Sequence, residues 1–274
     1  MIIKELVKRI LYPLLGLSVP NQIPNVYKTT MFNFMAFGFN GILHFPIIIY
    51  GNTKIYKVGK IRLKCRMRRG LVKIGELDYK SHGETKFFNY GTIDIYGPVK
   101  IEGCSIIENT GSIIFMGNNR IADGCTLIIR SGLTIGKESR IGFHSMLMDS
   151  DDHYTINVAN KVVGKNTLPI VLGAFNWIAN STIIKKGVKT PDYLIVASAN
   201  ALLTKDYTND VPKYSVIGGA PAKLLKTGIR RIFNTQHERE IRDYFDKNPT
   251  SKTMSLDIDE DKIEDYCKLN GLNL

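Results

Sequence analysis

Aliphatic residues recur every six positions through the middle of the chain, with two shifts of two residues and one long interval. The positions of this series are Ile95, Ile101, Ile107, Ile113, Ile121, Leu127, Ile135, Ile141, Leu147, Leu172, Ile178, Ile184, Thr190, Val196 and Leu202. This period matches neither a helix face nor hairpins with turns every 8 to 12 residues or so. It predicts short strands separated by sharp corners, three to a coil, that wind into a parallel β solenoid.

Regions on either side of this series have other patterns. Looser β-like runs between residues 52 and 92 predict irregular first coils, and residues 233–245 and 258–269 predict helices that follow or cap the solenoid. The expected divisions are a lead-in at 1–50, a solenoid at 51–226 with a loop at 148–171, and a helical cap at 227–274.

The first 50 residues carry two apolar stretches. Residues 2–15 place apolar side chains on one helical face, which predicts a short amphipathic helix at the N-terminus. Such a helix either packs on its own domain or a neighbouring subunit, or lies on an anionic membrane surface. Residues 31–50 are rich in Phe, Met and Ile, but the polar and proline interruptions exclude a transmembrane span: Asn33, Asn40, His44 and Pro46.

Composition adds a charge and a compartment. The chain has 37 Lys and Arg against 25 Asp and Glu, a net charge of +12, which favours anionic partners such as a polyphosphorylated cofactor or an acidic membrane surface. No aromatic-interleaved basic stripe or helix-turn-helix pattern is present, so no nucleic-acid partner is expected. The four cysteines lack CxxC spacing and lie among apolar residues, as buried thiols in a reducing compartment do. No cleavable signal sequence is recognisable, and we expect a cytoplasmic protein, with peripheral contact at the inner membrane face as an open alternative.

The long interval between Leu147 and Leu172 predicts a loop that leaves the solenoid. In its segment MLMDSDDHYTI, Asp149, Asp151 and His153 alternate, so an extended backbone would project all three to one side. A histidine flanked by carboxylates is a candidate general base, with a carboxylate or a backbone carbonyl holding the tautomer that leaves Nε2 free. A surface loop without a catalytic role, or a calcium-like carboxylate cluster, has the same spacing.

Four features together resemble one family. The hexads, the loop DSDDHYT, the NWI at 176–178 and the YSVIGGAPAKLLK at 214–226 are similar to the hexapeptide-repeat acyltransferases. The resemblance spans about residues 40–228 and is nearest to the O-acetyltransferases of capsule and lipopolysaccharide synthesis and to the maltose and galactoside acetyltransferases. It implies a left-handed parallel β-helix, a homotrimer with active sites between subunits, acetyl-CoA as cosubstrate, and no metal. The implied reaction is O-acetylation of a sugar hydroxyl on a nucleotide- or lipid-linked glycan.

The resemblance also implies roles for individual residues. His153 matches the catalytic base, and the implied acceptor contacts are Asp149, Asp151, His144 and Trp177. The implied contacts to CoA are Asn180, Ser198, Ala199, Thr204, Lys205, Gly219, Lys223 and Lys226. Lys223 and Lys226 would share one face if a helical turn begins there. The chain departs from the pattern by one extra residue between Val196 and Thr204 and by Ala179 in place of the usual corner glycine.

Three other functions are compatible with parts of the pattern. An N-acetyltransferase of an amino-sugar nucleotide would use the same base and cosubstrate. A zinc carbonic anhydrase shares the solenoid but needs three imidazoles, and only His144 and His153 lie near each other in the sequence. A non-catalytic scaffold would bind no CoA. The acceptor and the length of the acyl group remain open.

Overall fold

The structure is a computed structural model that describes residues 23–76, 83–197 and 200–268. The amphipathic helix expected at residues 2–15 lies outside the described residues. The helices are α1 (Val26–His44), α2 (Thr235–Lys247), a single 3₁₀ turn (Glu260–Lys262) and α3 (Ile263–Cys267). The strands are β1 (Ile47–Ile49), β2 (Thr53–Lys57), β3 (Lys60–Leu63), β4 (Val72–Glu76), β5 (Thr85–Asn89), β6 (Thr92–Ile95), β7 (Val99–Glu102), β8 (Ile106–Asn109), β9 (Ser112–Phe115), β10 (Asn119–Ile121), β11 (Thr126–Ile129), β12 (Gly132–Ile135), β13 (Arg140–Ile141), β14 (Met146–Met148), β15 (Ile156–Asn157), β16 (Val162–Val163), β17 (Ile170–Leu172), β18 (Trp177–Ile178), β19 (Ile183–Ile184), β20 (Ile195–Val196), β21 (Leu202–Leu203), β22 (Val216–Gly218) and β23 (Lys223–Lys226).

The strands other than β15 and β16 form three sheets, and the chain passes from one sheet to the next as a three-sided coil. Sheet 1 has the order β1-β4-β7-β10-β13-β18-β20-β22-β23, sheet 2 has β2-β5-β8-β11-β14-β19-β21, and sheet 3 has β3-β6-β9-β12-β17. Neighbouring strands within each sheet run parallel, except that β23 lies antiparallel against β22. The predicted parallel β-helix with flanking helices is therefore confirmed.

The six-residue series forms the inward ladders of this coil. In sheet 1, Ile101 pairs with Ile121, which in turn pairs with Ile141. Every position of the series from Ile95 to Val196 is buried. Burying an aliphatic side chain of this size contributes about 1.5–3 kcal/mol, so the stacked ladders supply the main apolar stabilisation of the solenoid.

Sheet 3 explains both shifts of two residues. Its strands turn two side chains inward, as Ile113 and Phe115 do in β9 and Leu133 and Ile135 do in β12, and β11 of sheet 2 does the same with Leu127 and Ile129. The six-residue count resumes from the second inward residue of each strand. Each of these coils therefore advances by 20 residues, from Ile101 to Ile121 to Ile141, two more than three hexads supply.

Two positions of the final series differ from a plain aliphatic ladder. Thr190 is buried because its hydroxyl donates to Asn176 Oδ1 at 2.5 Å and accepts from the Gly173 amide at 3.0 Å. The prediction that Leu202 faces inward is wrong, because Leu203 is fully buried and pairs with Ile184. The extra residue before Thr204 moves the inward position by one.

The first coils begin earlier than expected and are irregular as predicted, because the β2–β5 and β4–β7 pairs each contain a register shift. The strand β1 already pairs in parallel with β4, so the solenoid starts inside the segment expected to be a lead-in. Before it, α1 lies across this end and buries Phe32 against Phe87, with ring centroids 5.4 Å apart. Among the described residues, no helix is long and apolar enough to cross a membrane.

The C-terminal segment packs along the side of the last coils. The Ile229 amide donates to the Tyr214 carbonyl, and the Tyr193 hydroxyl donates to Glu264 at 2.8 Å. Asn234 caps α2 by accepting from the amides of Gln236 and His237. The second predicted helix is shorter than expected and consists of the 3₁₀ turn and α3.

Candidate active site

The predicted loop leaves the solenoid after β14 and returns at β17, at the corner between sheets 2 and 3. Its tip is the exposed antiparallel hairpin of β15 and β16. Two backbone hydrogen bonds close its base. The Asp151 amide donates to the Asn166 carbonyl at 3.0 Å, and the Leu168 amide donates to the Asp149 carbonyl at 3.0 Å. The loop is therefore a defined protrusion from one corner of the coil.

Asp149 does not face the same side as His153, contrary to the expected alternation. Its carboxylate is fully buried and accepts three backbone N–H bonds, from Arg130 and Ser131 at 2.7 Å each and from Gly132 at 2.6 Å. These amides form the corner of the preceding coil. The contacts give Asp149 a structural role there and leave no carboxylate oxygen turned towards a ligand.

Asp151 fixes the base of the loop to the next coil. Its carboxylate lies 2.5 Å from Lys186 Nζ and 3.2 Å from Lys185 Nζ. The hydrogen bond from Lys186 is the main reason that the pKa of Asp151 is lowered. Lys186 also donates to the Lys165 carbonyl at 2.9 Å, which ties both sides of the loop to one cation.

His153 is exposed on the loop immediately after this anchor. Its backbone amide donates to the Asp151 carbonyl at 2.7 Å, and Asp152 between them has a φ of 57°. That left-handed residue turns the chain, which is why the extended alternation does not hold. Within the described part of the chain, no side chain makes a hydrogen bond to its imidazole, so neither aspartate orients the ring.

Several residues expected to contact CoA meet at the end of the solenoid. A cavity of about 400 Å³ is lined by Thr204, Lys205, Tyr207, Lys223 and others. Lys205 forms an ion pair with Asp210, and this hydrogen bond raises the pKa of Lys205. The Tyr207 side chain is buried, with its ring 5.5 Å from Lys205 Nζ, and forms the inner wall.

This cavity is two coils away from the base of the loop, with the coil of Lys185 between them. The Lys185 amide donates to the Leu203 carbonyl at 3.0 Å, and Thr204 follows Leu203 directly. The side chain of Lys185 forms an ion pair with Asp151 at the base of the loop. Because stacked coils are about 4.8 Å apart, the loop base and the cavity lie roughly 10 Å apart along the same corner.

The expected helical turn at Lys223 is a strand. Lys223 pairs with Gly218 and Lys226 pairs with Val216 across the antiparallel pair, with an irregularity at Leu225. Since Gly218 and Val216 are two residues apart, their partners lie on one side of the pair. The two lysines therefore share a face through a bulge and not through a helix.

The remaining predicted residues lie elsewhere on the coil. His144 and Asn180 occupy the corner between sheets 1 and 2, where His144 is exposed with a φ of 57°. Trp177 lies on the outer face of sheet 1, and the Arg231 guanidinium lies 4.6 Å from its ring centroid. Gly219 has a φ of 95° and its carbonyl accepts from the Leu202 amide. Ser198 and Ala199 lie outside the described residues.

The structure thus divides the predicted site between two corners of the coil. His153, Asp151, Thr204 and Lys205 follow sheet 2, whereas His144 and Asn180 follow sheet 1. The two groups are separated by the width of sheet 2. One protomer therefore presents the predicted site residues in two separate groups.

Three solved structures are similar to this chain. The polySia-specific acetyltransferase NeuO is 18% identical, with 77% of this chain and 91% of that chain covered and a TM-score of 0.48. The polysialic acid O-acetyltransferase OatWY is 16% identical over 79% and 86%, with a TM-score of 0.37. AntD, an N-acyltransferase from Bacillus cereus solved with dTDP and 3-hydroxybutyryl-CoA, is 15% identical over 75% and 89%, with a TM-score of 0.39. All three are acyltransferases. The resemblance drawn from the sequence is confirmed at the level of the fold, and no family model matches the chain.

Metal-binding and thiol groups contribute little to this region. In the described ranges, no group of three or more His, Cys, Asp or Glu side chains is arranged to hold a metal ion. Burial raises the pKa of the Cys125 thiol to about 12, so this cysteine is a core residue and not a nucleophile.

Lys185 and Lys186 were missed by the sequence analysis. They come directly after Ile184, the inward residue of β19, and so begin the same corner from which the loop leaves one coil earlier. Counting two hexads from Leu172 to Ile184 would have placed them one coil after the base of the loop. Their positive charge then predicts that they form ion pairs with the loop carboxylates.

Proposed function

We propose that this protein is an acetyl-CoA-dependent O-acetyltransferase that acts on a sugar hydroxyl. The observation that carries the proposal is the position of His153. Its exposed imidazole lies on a loop whose base is tied through Asp151 and Lys185 to the coil beside the cation-lined cavity. Direct acyl transfer from CoA requires a free imidazole within reach of the bound thioester.

His153 acts as the base and then as the acid. Its neutral ring takes the proton of the acceptor hydroxyl while the acceptor oxygen adds to the thioester carbonyl carbon. The negative charge that develops on the carbonyl oxygen is held by a backbone N–H donor. The imidazolium then gives its proton to the sulfur as the C–S bond breaks. Atoms and charge balance without an acyl-enzyme, so no serine or cysteine nucleophile is needed.

The cavity residues suit the cosubstrate. CoA supplies the activated acyl group as a thioester and carries several phosphates. Lys205, which also pairs with Asp210, and Lys223 offer ammonium groups in the cavity lining, and compact cations of this kind bind phosphate oxygens well. Thr204 offers a hydroxyl, and the buried Tyr207 gives an apolar wall for the uncharged arm of CoA.

The division of the site over two corners supports a homotrimer. A threefold arrangement of solenoids would place the loop of one copy against the sheet 1–sheet 2 corner of the next, where His144 and Asn180 lie. The acceptor pocket would then combine His153 of one copy with the opposite corner of its neighbour. The exposure of His153 in the protomer agrees with a partner that completes its surroundings.

Acetyl-CoA turnover tests the proposal directly. Free thiol release is followed with a panel of sugars, amino sugars and glycans, for the natural chain and for His153→Ala. We expect acceptor-dependent release that falls by roughly 10²- to 10⁴-fold in the variant. The matched control is His44→Ala, an exposed histidine at the end of α1, which we expect to keep full turnover. If only sugars that carry an amine are acetylated, the reaction is N-transfer and not O-transfer. If no thiol is released and calorimetry detects no CoA binding, the proposal that this protein is an acetyltransferase is wrong.

Mixed oligomers test whether subunits share the site. His153→Ala and Asn180→Ala are each expected to be impaired alone, because each removes one half. When the two chains are co-expressed and assemble at random, roughly a quarter of the sites recover both natural residues. Recovery of turnover in the mixture supports sites built between copies. No recovery, with mixed assemblies shown by mass spectrometry, would place both residues in one protomer's site.

A further inference from the structure

Nearly all of the net charge lies in the first described coils and their helix. Residues 23–75 contain ten Lys and Arg and no Asp or Glu, whereas the rest of the chain has 27 basic and 25 acidic residues. The cations of this stretch are Lys28, Lys54, Lys57, Lys60, Arg62, Lys64, Arg66, Arg68, Arg69 and Lys73. One end of the solenoid is therefore strongly basic, and the remainder is close to neutral.

The helix α1 at this end is apolar on both sides. Its inner side packs Phe32 and Phe37 on the solenoid core. Its outer face consists of Tyr27, Met31, Phe34 and Met35 before a kink at Gly38 and of Phe39 and Leu43 after it, all exposed, with Phe39 78% and Leu43 79% accessible. The rings of Phe34 and Phe39 meet across the kink, with centroids 5.7 Å apart. A helix that is apolar all round is normally covered on every side. A contiguous apolar face of this kind on a protein surface marks a contact with another apolar phase.

Cations border the outer face of α1. Met35 lines a cavity of about 580 Å³ together with Lys57 and Lys60. At the end of the helix, the Arg69 guanidinium lies 5.9 Å from the centroid of the Phe45 ring. The exposed side chains of Lys64, Arg66 and Arg68 continue the basic surface between these points. Lys54 and Arg62 differ, because Glu84 and Asp94 pair with them.

We propose that the outer face of α1 docks on an anionic lipid bilayer. The apolar side chains enter the boundary between head groups and acyl chains, and the bordering cations contact acidic head groups. Nucleic acid would use the cations but would leave Phe39 and Leu43 in water. The helix lies on the bilayer and does not cross it, in agreement with its hydropathy. The inference stands on this surface alone and does not depend on the proposed reaction.

Vesicle flotation with the full chain tests the inference. Vesicles of phosphatidylcholine alone are compared with a roughly 7:3 mixture of phosphatidylcholine and phosphatidylglycerol. We expect binding to the anionic vesicles that weakens with salt. The triple variant Arg66→Gln, Arg68→Gln, Arg69→Gln is expected to bind about 100-fold more weakly, because each cation near the surface contributes roughly a factor of five. The double variant Phe39→Ser, Leu43→Ser is expected to lose stable binding, since it removes the inserted side chains.

Matched variants exclude an effect of net charge or surface polarity alone. Arg239→Gln, Arg242→Gln, Lys247→Gln removes three exposed cations from α2, and Val158→Ser, Val162→Ser removes two exposed apolar residues from the loop. Both controls are expected to bind like the natural chain, and thermal melts confirm that all variants fold. If the arginine triple variant and Phe39→Ser, Leu43→Ser bind anionic vesicles as tightly as the natural chain, the inference is overturned. An unchanged lipid affinity combined with a smaller oligomer for Phe39→Ser, Leu43→Ser would assign this face to a second copy instead.

Discussion

Asp149 offers the sharpest test of what the structure adds, because the sequence suggests an acceptor contact and the structure shows a buried corner lock. In Asp149→Asn, the amide oxygen can replace the carboxylate oxygen that accepts from Ser131 and Gly132. The amide nitrogen then faces the Arg130 N–H, so two donors oppose each other in a site without solvent. One lost bond to a charged group and an unsatisfied buried donor cost about 2–3 kcal/mol.

Asp149→Ala removes all three acceptor bonds. Three unsatisfied amides cost about 1–3 kcal/mol each, and release of the buried charge returns part of this, so we expect a loss of about 4 kcal/mol. For chains of about 150–250 residues, a change of 1 kcal/mol in unfolding free energy corresponds to about 2–4 °C in melting temperature. The expected decreases are therefore about 4–12 °C for Asp149→Asn and about 8–16 °C for Asp149→Ala.

Thermal unfolding followed by circular dichroism at one scan rate measures these shifts. Asp152→Asn is the matched control, because this exposed carboxylate has a single contact at 3.3 Å to Arg130 and should melt within about 1–2 °C of the natural chain. Acetyl-CoA turnover is measured on the same samples below their melting range. The reasoning is refuted if Asp149→Asn melts like Asp152→Asn while turnover is lost, since the carboxylate would then serve the substrate.

Three further predictions address the ladder, the ion pairs and the C-terminal segment. Leu203→Ala should cost about 2–5 kcal/mol in unfolding free energy and Leu202→Ala clearly less, and equal melting temperatures would restore the register expected from the sequence. The pKa of Asp206 is lowered to about 2 from 3.8, first by the Thr208 hydroxyl and then by Lys189, so its stabilising contribution is present above about pH 4 and is lost as the pH falls towards 2. Acid melts should show a shallower slope for Asp206→Asn over that range, and an unchanged slope would contradict the assignment. Arg231→Gln should shift the emission of Trp177, the single tryptophan, to longer wavelength as water replaces the guanidinium, whereas Arg239→Gln on α2 should leave the spectrum unchanged.

The candidate site shows where sequence reasoning succeeds and where it stops. The loop and its exposed histidine follow from the interval in the hexads, since a break in a fixed period must leave the coil. The alternation of Asp149, Asp151 and His153 fails because Asp152 takes a left-handed conformation that the spacing does not reveal. Likewise, Lys185 and Lys186 become partners of the loop only because coils stack.

The sequence by itself determined the three-sided solenoid, because inward positions in a coil must repeat with the length of its sides and aliphatic residues mark them. It determined the order of strands and the place of the loop for the same reason. Only the tertiary structure decided that Leu203 replaces Leu202 and that α1 covers the first coil. These depend on which side chains meet across coils, and contacts between residues about 20 positions apart are not encoded in local spacing.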